Sequence, residues 1–293
     1  MNKSFTLIEI LVVIVVIGVL SAFILVGMSS ITRSANIAKS QAFLNSIDNS
    51  LLLGRVSQWK LDERTTAGHG DTFIDSWGSN TGTLYTNNGT NNKVSSDCPS
   101  GKCLSFDGTD DYVDIGNDKF NYQQFTVSHW IKTSTVTIVP FSNYYRQAAG
   151  QPEYGWFTTI RSNGRPSIQI NSNAYTPPNG PLVNDNIWHL ITIIVNGANA
   201  IFYTDGVQVS TYTYSSAPSY AVSVETYIGA KYEGAINGNF SGSIDDIRIY
   251  NQAISTSQIQ QNYYIGLNRL YNSNNVSKQE YMVKIKELLT QNP

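Results

Sequence analysis

From Ile10 to Thr32 the chain carries no charged residue, and Ile10 to Met28 is almost wholly apolar. A helix of that length spans a bilayer. Beyond it the pattern becomes one-sided. Ile31, Ala35, Ala38, Ala42, Leu44, Ile47 and Leu51 recur at three- and four-residue spacings, with Arg33, Lys39 and Asp48 among the polar positions. That is the period of an amphipathic helix, and Gly54 supplies a stop. The pattern predicts one long helix over residues 5–55, apolar all round over 5–28 and amphipathic over 29–55.

After Val56 the period shortens. Runs such as KCLSFDG, DYVDIG, FTVSHWIKTS, LITIIV, ETYIGA and GSIDDIRIYN alternate with clusters of Gly, Asn, Ser and Asp. No helical stretch separates them, which predicts an antiparallel β-sandwich or jelly roll. NGANA reads as a hairpin turn and TDGV as the turn that follows. The tail, NNVSKQEYMVKIKELLTQNP, returns to a helical period. Ser277 is the expected N-cap, Glu280 completes a capping box, and Tyr281, Ile285 and Leu288 form the apolar side.

Composition agrees with an exposed, mainly β protein. Of 293 residues 41% are apolar and only 14% charged, with many Tyr, Asn, Ser, Thr and Gly in their place. A net charge of −2 and the lack of a basic stripe leave no footprint for nucleic acid. Cys98 and Cys103 lack nearby histidines and have four residues between them, so neither a metal site nor a thioredoxin-like motif fits. A short disulfide is the simplest reading for a domain outside the cytoplasm, and two reduced thiols are the alternative.

Glu9 is the only charge between Lys3 and Arg33, set just inside the apolar run, where a carboxylate is expensive. A secretory signal peptide explains it poorly, because the run is long and Glu9 intrudes. KSFTLIEILVVIVVIGVL resembles the N-terminus of type IV pilins and pseudopilins: a short basic leader, Met1–Ser4, then Phe5-Thr6-Leu7-Ile8-Glu9 and a hydrophobic helix. The resemblance implies cleavage between Ser4 and Phe5 by a prepilin peptidase and N-methylation of Phe5. An inner-membrane assembly platform would then move the helix into a filament of pilin subunits. Glu9 would pair with a neighbouring subunit's terminal amine, which compensates a carboxylate buried in an apolar bundle. Ser4 stands where the family prefers Gly, and Val26 and Gly27 occupy the region where many pilins carry proline.

A second resemblance follows from an ordered series: QWKLDE, DSWGSNTGTL, LSFDGTDDYVDIG, FTVSHWIK, WHLITIIVNGANAIFYTDGVQV, YIGA and FSGSIDDIRIYNQAISTSQI. It is similar to laminin-G-like domains of the concanavalin A-like lectin/glucanase superfamily. This implies a two-sheet jelly roll over 56–266 carried on the helical stalk, a closing helix at Ser257–Tyr264, and a tail over 267–293 with its own short helix. Trp130 and Trp188 are expected as core anchors, and His129 and His189 as strand residues with local hydrogen bonds. In GSIDDIRIY strict alternation puts Asp245 in phase with Ile247 and Ile249, and Asp246 with Ile244, Arg248 and Tyr250. A buried Asp245 needs a partner, either a backbone or arginine hydrogen bond or a cation. Similar jelly rolls hold a structural Ca²⁺ between first and last strands, which implies Asp62 or Glu63 near Asp245, with Asp75 or Asn80 contributing oxygens.

No nucleophile, zinc or phosphate motif occurs, nor the Glu-x-Asp-x-Glu type run of glucanases. The adjacent carboxylates of IDDIRIY point to opposite faces and cannot serve one bond, so no enzyme is expected. Tyr144, Tyr145, Tyr154 and Trp156 in YYRQAAGQPEYGW, with Tyr232, are candidates for stacking on sugar rings. The reading is a type IV pilin-like structural subunit displaying a lectin-like domain for adhesion or for binding a glycan or surface ligand. It would be anchored in the cytoplasmic membrane before assembly and lie in an extracellular pilus or periplasmic pseudopilus afterwards. A pseudopilin of a type II secretion or DNA-uptake machine binding protein cargo is the alternative, and a membrane-anchored glycan-degrading enzyme a third.

Overall fold

Alternating apolar positions and left-handed turn residues build nearly all of the domain. A computed structural model describes residues 54–63, 66–86, 92–95 and 97–290. The leader, the helix expected over 5–55 as far as Leu53, and with them Ser4, Phe5 and Glu9, lie outside the described residues. In chain order the strands are β1 (Arg55–Trp59), β2 (Thr66–Ala67), β3 (Thr72–Phe73), β4 (Gly82–Tyr85), β5 (Asn92–Ser95), β6 (Cys103–Asp107), β7 (Tyr112–Asn117), β8 (Gln124–Lys132), β9 (Ile138–Arg146) and β10 (Glu153–Ile160). There follow β11 (Pro166–Ile170), β12 (Asn173–Tyr175), β13 (Trp188–Asn196), β14 (Asn199–Thr204), β15 (Val207–Thr213), β16 (Glu225–Ile228), β17 (Lys231–Glu233), β18 (Ile236–Asn237) and β19 (Ser241–Tyr250). Helices α1 (Thr256–Asn272) and α2 (Lys278–Thr290) close the described chain.

Among the described residues the strands form two sheets. The first runs β15-β14-β13-β8-β19-β6-β5-β2, with β1 also beside β19; the second runs β12-β11-β10-β9-β16-β7-β4-β3, with β17 and β18 attached. Pairing is antiparallel except where β17 meets β9 in parallel. The inner faces enclose one apolar core that includes Trp59, Phe120, Phe125, Phe141 and Trp156. The Phe125 and Trp156 rings stack there at 4.3 Å. The TDGV turn holds Asp205 and Gly206 at φ +54° and +79°, the left-handed pair that a tight β14–β15 hairpin requires.

Strict alternation fails at Asp246, which corrects one expectation. Its φ is +44°, and register against β8 slips there: Asp245 lies opposite Trp130, but Arg248 lies opposite Ser128. This is a β-bulge. Ile244, Ile247 and Ile249 all reach the inner core. Asp245 shares the outer side with its cross-strand partner Trp130, rather than a face with Ile247 and Ile249. The bulge is fastened by a buried ion pair, with Arg248 Nη2 2.6 Å from Asp246 Oδ2 and Nε donating to Oδ1 at 3.0 Å. Gln58 of β1 donates to Asp246 Oδ1 at 2.6 Å, and Arg248 also donates to Asn262 of α1. Burial opposes the Asp246 charge, but Arg248 and Gln58 outweigh it and hold its pKa below the usual carboxylate range. Removing one partner of such a pair costs about 3–5 kcal/mol.

Helix α1 covers the outer face of the first sheet. Ser255 and Gln258 form its capping box, and Ile259, Tyr263, Leu267 and Leu270 are buried along one side. Trp130 and Trp188 are buried as expected, yet they belong to this outer cluster under α1 and not to the intersheet core. Because Leu267 and Leu270 continue the buried stripe, α1 runs to Asn272, past Tyr264 and across the boundary expected after residue 266. Gly266 lets α1 approach: a Cβ there would lie 2.3 Å from Trp130 Cζ2. In α2 the Glu280 N–H donates to Ser277 Oγ at 3.1 Å, and Leu288 is buried with Tyr281 and Ile285 packed beside it. Among the described residues no helix is long and apolar enough to cross a membrane.

The two buried histidines titrate in opposite senses. His129 is 1% exposed, and its Nε2 lies 3.1 Å from Thr158 Oγ1 of the other sheet. Burial drives its pKa down to about 3. His189 is also buried, but its Nδ1 lies 2.8 Å from Asp205 and its Nε2 3.2 Å from Asp185. Burial opposes its charge, yet the two carboxylates raise its pKa to about 9.

Gly266→Ala should lower stability by about 1–3 kcal/mol through the Trp130 clash, although alanine is the better helix former by ~1 kcal/mol; an unchanged or raised urea midpoint would refute it. The histidines should place maximal stability near pH 6.5, their unfolded pKa. The His129 contribution is lost as pH falls from 6.5 towards 3, because only the unfolded chain takes the proton. The His189 contribution is complete below 6.5 and lost as pH rises towards 9. Urea midpoints against pH should flatten between 6 and 4.5 in His129→Leu and between 7 and 9 in His189→Gln.

Candidate functional site

The YYRQAAGQPEYGW block is a hairpin, β9 and β10 joined by the turn at 147–152, and not a long loop. That changes the status of its aromatics. Tyr144 and Trp156 are both fully buried, which removes them as ligand platforms. Trp156 points inward onto Phe125 and Phe141. Tyr144 packs edge-on against Phe157 at 4.8 Å beneath Lys231. Tyr145 and Tyr154, opposite one another on β9 and β10, are only half-buried. Both line a cavity of about 490 Å³ with Gln147, Gln151, Pro152, Val222, Ser223 and Glu225. Tyr232 braces this wall: the parallel β17–β9 pairing sets it beside Tyr145, rings stacked at 5.6 Å and 6°.

A charge network fixes these walls. Arg146 bridges Glu153 at 3.0 Å and Glu233 at 2.9 Å, tying β9 to both β10 and β17. Lys231 pairs with Glu233 and lies 4.5 Å over the Phe157 ring. Gln169 of β11 donates to Glu153 at 2.5 Å. Inside the cavity Glu225 is half-buried, and its Oε2 has no hydrogen-bond partner among the described residues. Burial, then repulsion from Asp114 and Asp118, pushes its pKa upward. The pocket therefore offers two phenol rings, two amides, a serine hydroxyl and one unsatisfied carboxylate oxygen. Such a set matches a ligand with apolar ring faces and many hydroxyls. The sequence reading missed Gln147 and Gln151, although both lie within the YYRQAAGQPEYGW block, and Glu225, the charged residue that opens the strand ETYI.

Among the described residues the carboxylates named for a cation form no close group of three, although Asp62 lies near enough to Asp245 to act on its charge. Asp75 Oδ1 accepts the N–H groups of Gln58, Trp77 and Gly78 at 2.8–3.1 Å, and Oδ2 accepts that of Asn80. Burial raises its pKa, but these bonds more than reverse that. Asn80 turns its amide to Ser57, as a donor. Glu63 is exposed and accepts from Ile74 N–H. Asp245 is fully buried; Oδ2 accepts the Ser100 N–H at 2.6 Å while Oδ1 has no partner among the described residues. Burial first, then Asp246 and Asp62, push its pKa well above the carboxylate range. The Cys98 and Cys103 sulfurs are bonded, and the loop they close is tied down by Asp245 and by Arg269 of α1, which donates to Ser100 Oγ at 3.0 Å.

Asp245→Asn should accordingly stabilise the domain at neutral pH. The raised folded pKa means that stability is fully present below 3.8 and lost as pH rises above it. The variant and the wild type should converge in acid and separate towards pH 7. A less stable Asp245→Asn at pH 7 would mean that the carboxylate has a compensating partner.

Residues 107–260 match the concanavalin A-like lectin/glucanases superfamily, and residues 1–25 match the prokaryotic N-terminal methylation motif. No curated protein matches the chain. Among solved structures, similarity is found to domain 4 of AbnA, a GH43 extracellular arabinanase from Geobacillus stearothermophilus, in complex with arabinotriose. It has a TM-score of 0.53 and 17% identity, over 71% of this chain and 98% of that one. The botulinum neurotoxin serotype D binding domain is similar at 0.50 and 16%, over 72% of this chain and 51% of that one. Trypanosoma rangeli sialidase in complex with the inhibitor DANA is similar at 0.50 and 13%, over 71% and 32%. The chain thus spans about half of the toxin domain and a third of the sialidase. At these identities the likeness is one of fold. The superfamily match covers more than half of the 293 residues, and the chain belongs to the concanavalin A-like lectin/glucanases superfamily.

Proposed function

We propose that this chain is a type IV pilin-like subunit whose β-sandwich binds carbohydrate at the surface of a filament. The observation that carries the ligand class is the cavity between Tyr145, Tyr154 and Glu225, where two phenol rings meet one unsatisfied carboxylate oxygen. The arabinotriose held by the arabinanase domain fits the same class. The methylation motif supports the other half of the reading: a membrane-anchored precursor, cut before Phe5 by a prepilin peptidase and assembled with other pilins through Glu9. Binding is favoured over catalysis because, among the described residues, Glu225 is the one carboxylate lining the cavity. Glycoside hydrolysis takes two, flanking one bond.

Filaments sheared from cells that make the full chain test both halves. They should contain the protein with N-methylated Phe5 as first residue, and should retain soluble arabino-, xylo- or sialo-oligosaccharides on a glycan array. Tyr154→Ala filaments should assemble normally and lose about 1–3 kcal/mol of glycan affinity, the size of one lost ring contact. Filaments that lack the chain would overturn the pilin reading. Filaments that contain it but bind no glycan would overturn the ligand.

A further inference from the structure

Along one side of the sandwich two edge strands face each other: β15 ends the first sheet and β12 ends the second. Both edges are thin, since β12 is a three-residue strand and no residue of β15 is fully buried. Edges of this kind need cover. Here side chains supply it. Tyr175 of β12 lies opposite Ile168, and Tyr212 of β15 opposite Ala200; both partners belong to the intersheet core, so both rings point into the gap between the sheets. The rings stack at 3.9 Å and 9°, and Tyr175 also packs on Phe202 at 5.5 Å. The Tyr175 hydroxyl shares a hydrogen bond with Ser210 Oγ of β15 at 2.9 Å, while the Tyr214 hydroxyl donates to the Ile168 carbonyl of β11 at 2.7 Å.

Aromatic pairs usually hold their ring centroids about 4.5–7 Å apart. The other stacked tyrosine pairs among the described residues lie in that range: Tyr271–Tyr281 at 4.6 Å, Tyr85–Tyr112 at 5.0 Å and Tyr145–Tyr232 at 5.6 Å. Tyr175 and Tyr212 are closer than any of these, and of these pairs theirs alone joins the two sheets. Tyr212 is 38% exposed, so a diffusible oxidant can reach it.

We propose that Tyr175 and Tyr212 are a site of oxidative modification, a dityrosine cross-link that fastens the two sheets at this edge. The co-reactant is a peroxide, used through a peroxidase-type one-electron oxidant. Each phenol loses one electron and its hydroxyl proton, leaving two phenoxyl radicals in contact. Ser210 gives the Tyr175 proton a first acceptor, and Tyr212 faces solvent. The unpaired electrons pair in a new bond between one Cε of each ring. The two Cε hydrogens then move to the phenoxyl oxygens and restore both phenols. One peroxide takes up the two electrons and two protons and leaves as two waters. The Cys98–Cys103 disulfide closes only a short loop, so it does not join the sheets here. Surroundings oxidising enough to keep that disulfide suit this chemistry. The cross-link depends neither on the glycan cavity nor on filament assembly.

The full chain in detergent is treated with a haem peroxidase and limiting H₂O₂. Dityrosine fluorescence should appear, and the intact mass should fall by two hydrogens while the chain stays monomeric on a denaturing gel. Peptide mapping should link Tyr175 to Tyr212. The thermal midpoint of the oxidised chain should rise by several degrees, because the link restricts the unfolded chain. Tyr212→Phe keeps a ring in the stack but removes a phenol that must be oxidised. It should lose both the linked peptide and the rise in midpoint, and Tyr175→Phe should behave alike, with circular dichroism confirming that each variant folds. Absence of intramolecular dityrosine would overturn the proposal. So would a link mapped to another pair, or a Tyr175–Tyr212 link that leaves the midpoint unchanged.

Discussion

The sandwich is organised around the buried pairing of Asp246 with Arg248. Strand β19 is hydrogen-bonded to β8 on one side and to β6 and β1 on the other, so an irregularity in it is felt by three strands. The bulge at Asp246 lets Ile244 and Ile247 both face the core, and it frees a carboxylate and a guanidinium to meet beneath α1. Gln58 anchors the first strand to the same carboxylate and Asn262 anchors the helix to the same guanidinium. Desolvated charges of this kind are weak evidence for net stability, but their geometry leaves little room for another register.

Much of this was legible in the sequence. Period-two alternation located the strands, TDGV and NGANA marked hairpin turns, and Ser277 with Glu280 marked the start of the last helix. What alternation could not reveal was the bulge. An aspartate at φ +44° breaks the period without a glycine or proline to announce it. The placement of Trp130 and Trp188 was half right: burial follows from their size, whereas the choice between the intersheet core and the cluster under α1 depends on where the helix docks.

The candidate site divides along the same line. Adjacent tyrosines on a strand face opposite ways, so Tyr144 and Tyr145 could not both have met a ligand once their block proved to be a strand. Gln147 and Gln151 lie in the turn between the two tyrosine strands, but Glu225 comes from β16, and only the strand order brings it to the tyrosines. The same holds for Tyr175 and Tyr212. They belong to edge strands of different sheets, and their juxtaposition leaves no trace in local spacing.

The parallel contact of β17 with β9 has a further consequence. The segment from Lys231 to Asn237 hangs on the sheet by a two-residue pairing and by Arg146, outside the antiparallel order that encloses the core. The cavity is lined in part by turns, at 147–152 and 222–223, and in part by Tyr145, Tyr154 and Glu225 of the sheet strands. The turn residues can change without disturbing the strand register. Such a partition lets one scaffold exchange specificities by substitution at its rim, while the strand register and the helix that covers the opposite sheet stay as they are.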